Sequence, residues 1–185
     1  NETMQKVHGY HILSLLERQL PADWQLVHLG LTAVPLEGIR KVDSYMSQHV
    51  QRDLSKIAEA LRDVRPSLVL VTSADTLEEN IQDLIRGGYS DADAEVQAQK
   101  IMNAWKEGWA ELIQQNPTVQ FVMAAGNGAY NGEGDSLESG AVISRAYPAA
   151  LAYPNTVTVG NLNADGCLIE SSNFDVKAAA PGVLV

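Results

Sequence analysis

Phe121-Val122-Met123-Ala124-Ala125-Gly126-Asn127 runs from apolar through small residues to an asparagine, and Gly128-Ala129-Tyr130-Asn131-Gly132 then reads as loop. A short apolar run bounded by turn residues predicts a buried strand. Because that strand ends in Ala-Ala-Gly, no bulky side chain stands in front of its backbone, and a substrate can lie close against it. The asparagine then sets a neutral carboxamide at the strand's carboxyl end. In an open α/β sheet ligands bind at that end. A neutral donor there suits an oxygen that gains negative charge during acyl transfer.

Working outward, strand-like and helix-like segments alternate, which predicts an α/β fold with a mostly parallel sheet covered by helices on both faces. Trp24–Leu31, Leu68–Thr72, Val119–Ala124 and Thr156–Val159 read as strands. Between the first two, Val42–Val64 sets Val50, Leu54, Ile57 and Leu61 at spacings of three and four, an amphipathic helix that Arg65-Pro66 ends. Asp91–Gln115 reads as a second long helix, its buried side traced by Val96, Ile101, Trp105, Trp109 and Leu112. Ser90 precedes Asp91 and Asp93, a good amino-terminal cap with acids at the positive end of the helix dipole. Thr76–Arg86 can form a short additional helix, which Gly87-Gly88 breaks.

Further blocks follow in order: Tyr147-Pro148-Ala149-Ala150, Asn155-Thr156-Val157-Thr158-Val159-Gly160, Ser171-Ser172-Asn173-Phe174 and Ala179-Ala180-Pro181-Gly182-Val183. With the Asn127 stretch, this series resembles the subtilisin-like serine proteases (subtilases) over residues 117–185. His8-Gly9-Tyr10-His11-Ile12 is similar to that family's His-Gly-Thr-His-Val block, and Leu68–Ser73 to its cleft-bordering strand. The resemblance implies a three-layer fold and a serine endopeptidase. It makes His8 the general base, which takes the serine proton and returns it to the leaving amine. It makes Asn127 the oxyanion donor. Ala124, Ala125 and Gly126 would wall the pocket for the residue before the scissile bond. Ser73, Ala74 and Asp75 would form the opposite wall and pair with an extended substrate. Asp75 stands where the family usually has glycine, and residues 75–91 read as an insertion beside the cleft.

The aspartate and serine blocks that complete such a triad lie, in the family, before the histidine block and after Ala-Pro-Gly. Neither occurs in this chain. The expectation is a partial peptidase domain over residues 1–185, inactive by itself and active in a longer parent. Tyr10 stands where the family has threonine, and Ile12-Leu13-Ser14 where it has small residues. These departures keep open a catalytically inactive subtilase fold that serves in binding or as a scaffold. Gly134-Asp135-Ser136-Leu137 spells the nucleophile block of another hydrolase class, the Gly-Asp-Ser-Leu esterases. In that class the histidine follows the serine, whereas every histidine here precedes Ser136.

Composition narrows the partners. The 185 residues suffice for one substantial core, and 23 Asp plus Glu against 13 Lys plus Arg give a formal charge of -10. Nucleic acid and anionic membrane are disfavoured, since both need a basic surface. Charge does not identify a substrate; a peptide or protein substrate is what the subtilase resemblance implies. Cys167 is the one cysteine, so no internal disulfide forms, and its turn-like surroundings suggest a structural thiol. His8 and His11 are three apart, as metal ligands can be, but no further ligands are nominated. The expectation is no resident metal, with the acidic loop Asn131–Glu138 as the one candidate for calcium, an ion common in subtilases. By the same resemblance, the expected setting is secretion or the cell envelope.

Overall fold

A computed structural model describes residues 12, 14, 16–31, 36, 39, 41–73, 75–127, 146–170, 172, 173, 176 and 178–181. The chain divides into two compact units, Asn1–Val34 and Pro35–Val185. In the first, residues 16–19 are helical and Leu20 N–H donates to the Leu16 carbonyl at 2.8 Å. The strand expected at Trp24–Leu31 is not formed, and this is a correction. Trp24 and Val27 are 50% and 60% exposed, and the segment enters neither sheet. Apolar composition favours a strand only where a neighbour accepts its backbone hydrogen bonds.

The second unit carries the named elements. Helix α1 (Val42–Tyr45) passes through a π-helical turn (Met46–Val50) into α2 (Gln51–Val64). Val50, Ile57 and Leu61 are buried and Leu54 partly so, as their spacing requires. Arg65 ends the helix in the left-handed conformation, with φ of 51°, just before Pro66. Strand β1 (Leu68–Val71) follows, then the two-residue strand β2 (Asp75–Thr76) and helix α3 (Leu77–Arg86). The Thr76 hydroxyl caps α3: it accepts the Glu79 N–H at 3.2 Å and donates to a Glu79 carboxylate oxygen at 3.0 Å. Helix α4 (Asp91–Gln115) is capped in the same way by Ser90, which accepts the Asp93 N–H at 3.2 Å.

One residue of the expected α4 stripe is misassigned. Val96 is 56% exposed, whereas Ala94 and Ala98 are fully buried. Two residues are about 200° apart around a helix, so Val96 points away from the face that Ala98, Met102, Trp109 and Leu112 share. Small alanines hold the buried positions because α4 packs closely against α3 there.

The remaining strands are β3 (Gln120–Ala124), β4 (Ala146–Tyr147), β5 (Thr156–Leu162) and β6 (Ala178–Pro181). The main sheet has the order β1-β3-β5-β6, every pairing parallel, and β2 pairs antiparallel with β4 in a second, two-stranded sheet. The fold is α/β, a mostly parallel sheet flanked by helices. Phe121 and Met123 of β3 and Val71 of β1 join the buried core with α2, α3 and α4. Leu68 and Leu70, on the other face of β1, remain 40% exposed each.

Side chains stitch the helices to the sheet. The Asn155 carboxamide lies against three carbonyls, of Ile113 (3.3 Å), Asn116 (3.1 Å) and Val119 (3.1 Å), and so ties the end of α4 to the start of β5. The Thr158 hydroxyl donates to the Ala149 carbonyl at 2.8 Å and Thr156 to that of Leu151 at 3.1 Å, which anchors the turn after the cis Tyr147–Pro148 peptide. No helix among the described residues is long and apolar enough to cross a membrane.

Candidate functional site at the carboxyl edge of the sheet

Parallel strands emerge at a common edge, and register decides which residues meet there. Val71 of β1 is level with Met123 of β3, and Ala124 with Val159 of β5. Thr72 and Ser73 therefore leave the sheet beside Ala124, Ala125 and Gly126. The strand order runs in one direction across the sheet, so these four strands contain no reversal of order. The shared feature is the carboxyl edge itself.

Along that edge the environment changes within a few residues. Ala125 is 2% exposed and its N–H donates to the Val159 carbonyl at 2.9 Å, continuing the β3–β5 pairing one residue beyond the strand. Gly126 then takes φ of 83°, a left-handed conformation that turns the chain out of the sheet and that a Cβ would oppose. Asn127 is exposed and forms an isolated antiparallel bridge with Ser172. Asn127 is thus an exposed residue at the end of a buried strand.

The other wall is acidic. Ser73 is exposed, and Asp75 begins β2, level with Tyr147 of β4. By area Asp75 is exposed too, yet the surroundings of its carboxyl group are mostly protein. Desolvation, followed by the charges of Glu79 and Asp83, pushes that carboxyl up from 3.8 to about 6. Tyr45, from the end of α1, is held protonated well above its ordinary range by burial and then by Asp75, Asp53 and Asp83. Its ring lies 5.1 Å from that of His49. Arg52 pairs with buried Asp53 at 2.9 Å, and Arg86 pairs with Asp83. Among the described residues no group of three or more His, Cys, Asp or Glu side chains is set to hold a metal ion.

Of the residues singled out by sequence, Ser73, Ala124, Ala125, Gly126 and Asn127 thus lie at or just beyond the carboxyl ends of the paired strands β1 and β3, while Asp75 opens β2 of the second sheet. His8 and Ala74 lie outside the described residues, as do Ser136 and the loop 131–138. His28 is exposed in irregular chain, and His49 is partly buried in the π turn. Cys167 is exposed and free, so it fills no core position.

Sequence reasoning missed the support beneath Asn127. Asn173 is 1% exposed, and its carboxamide donates to the Ala125 carbonyl at 2.8 Å while its N–H donates to the Gly126 carbonyl at 3.1 Å. Its only signal was its place in the Ser171–Phe174 block, which gave it no role. The β2–β4 ribbon was missed as well, since two-residue strands carry no periodicity. A scan of the chain against protein-family models gives no match, and a search of curated proteins finds none either.

Proposed function

We propose that this chain is part of a subtilisin-like serine endopeptidase domain. In this reading Asn127 donates its side-chain amide to the tetrahedral oxyanion and His8 is the general base. Ala124–Gly126 and Ser73–Asp75 are the two walls between which an extended peptide lies. The observation that carries the reading is the parallel pairing of β1 with β3, which sets Ser73 beside Ala124–Gly126 at one edge, where Asn127 is exposed. A left-handed Gly126 just before Asn127 also supports it, because the chain turns there and leaves Asn127 exposed. The three-layer form belongs to the same proposal: further segments of a parent would cover Leu68 and Leu70 and supply the aspartate and serine. Secretion or the cell envelope, and a peptide or protein substrate, follow from it too.

The test uses the intact parent and the 185-residue chain side by side. The parent should hydrolyse casein and react with a fluorophosphonate probe, and the chain alone should do neither. In the parent, Asn127→Leu should lower kcat by roughly 10²–10³ with KM little changed, a range taken over from subtilisin itself. His8→Ala should be more damaging, since the serine then has no base. Probe labelling of Ser136 in the isolated chain, with ester turnover, would overturn the proposal in favour of an esterase. A parent whose His8→Ala form keeps full activity would remove His8 from the chemistry.

A further inference from the structure

The bonds around Asn173 form a closed ring. Its side chain and its N–H hold two consecutive carbonyls, those of Ala125 and Gly126, immediately before Asn127. Ser172 is 3% exposed; its hydroxyl accepts the Asn161 N–H at 2.9 Å and donates to the Asn173 carbonyl at 3.2 Å. Asn161 belongs to β5, which pairs with β3 through Val159 and Ala124. The Asn127–Ser172 bridge runs beside this ring. Two other segments, β5 and Ser172–Asn173, therefore define where the backbone of Asn127 stands.

We propose that Asn173 is a positioning residue that holds the Ala125–Asn127 backbone, and through it the Asn127 amide, in place for transition-state stabilisation. The inference rests on the reading of Asn127 as the oxyanion donor. A preset donor needs no reorganisation as charge develops, and displacement by about 1 Å can cost up to about 10²-fold in rate. The residue type fits the task. Two carbonyl oxygens require donors, and an asparagine offers a side-chain N–H beside its own backbone N–H. Aspartate has the same shape but would set a carboxylate oxygen against the Ala125 carbonyl. At 1% exposure there is little water to relieve that contact.

The test is a double-mutant cycle in the intact parent, with Asn173→Ala and Asn127→Leu alone and together. Asn173→Ala should lower kcat by about 10–100-fold with KM unchanged, and should add almost nothing once Asn127 is leucine. A loss that is equal in both backgrounds would overturn the proposal, since Asn173 would then be a fold anchor acting independently of the donor. If Asn127→Leu itself leaves kcat intact, the oxyanion reading fails first, and the proposal falls with it for that separate reason. Asn173→Ser keeps the backbone N–H and a shorter hydroxyl donor, and serves where the alanine variant does not fold; it should restore part of kcat. A second measurement needs no activity. In the 15N-labelled 185-residue chain, Asn173→Asp should lower the order parameters of Gly126 and Asn127 from about 0.85 toward about 0.6 while β3 and β5 stay rigid. Unchanged order at both residues in a folded variant would overturn the positioning role.

Discussion

Gly126 and Asp75 show how single residues set the character of the edge. Gly126 has φ of 83°, where any Cβ meets backbone, so Gly126→Ala should destabilise the chain by about 1–2 kcal/mol in urea unfolding. An unchanged midpoint would mean that the turn relaxes to a negative φ. Asp75 governs a pH response. Its carboxyl is raised from 3.8 to about 6, so the folded chain takes up this proton at higher pH than the unfolded chain. The resulting stabilisation is complete below about pH 3.8 and is lost as pH rises through about 6. Asp75→Asn, which carries no charge at any pH, should therefore raise Tm at pH 8 and leave it nearly unchanged at pH 4. Since Asp75 keeps exposed area, the gain should be modest and should shrink with added salt. An equal gain at both pH values would mean that neither burial nor the charges of Glu79 and Asp83 raise this carboxyl.

At the scale of elements, close approach decides where α2 meets α4. A Cβ added at Gly108 would lie 2.2 Å from Leu54 Cδ1, 2.9 Å from Cδ2 and 3.0 Å from Cγ, so the whole leucine head sits over the glycine. Helix propensity alone favours alanine by about 1 kcal/mol, while forcing atoms into a filled site costs about 1–3 kcal/mol. The steric effect wins: Gly108→Ala should destabilise wild type yet stabilise a Leu54→Ala background, a change of sign that chemical denaturation of the four proteins reads directly. Asn155 is the second joint. Asn155→Ala leaves the carbonyls at the end of α4 without their side-chain donor and should cost about 1–3 kcal/mol. The elements most legible in sequence were those with sustained periodicity and caps. The extent of α4 followed from the Ser90 cap and the apolar spacing along Asp91–Gln115, and α2 from its leucine and isoleucine spacing. Trp24–Leu31 was misread because apolar composition reports what a strand would bury and is silent on whether a partner strand exists. Asn173 was illegible for a related reason: its bonds reach to Ala125 and Gly126, almost fifty residues back, and no local pattern records them.

For the molecule as a whole, the sheet's open edge matters most. β1 is the terminal strand of the described sheet, and one face of it exposes Leu68 and Leu70 at 40% each. Its outer N–H and C=O groups meet no other described strand, and an apolar edge of this kind is a template for another chain. Net charge of -10 opposes association at low salt, when the Debye length is long. Screening that charge leaves the apolar edge dominant. The 185-residue chain should therefore be monomeric in sedimentation velocity at about 10 mM salt and should associate with rising concentration at about 0.5 M. Leu70→Lys places a charge on the exposed position of β1 without touching Val69 or Val71, which face the core, so it should abolish the association and leave Tm within about 1–2 °C. Association that persists in Leu70→Lys, or that weakens as salt rises, would assign it to a surface other than this edge.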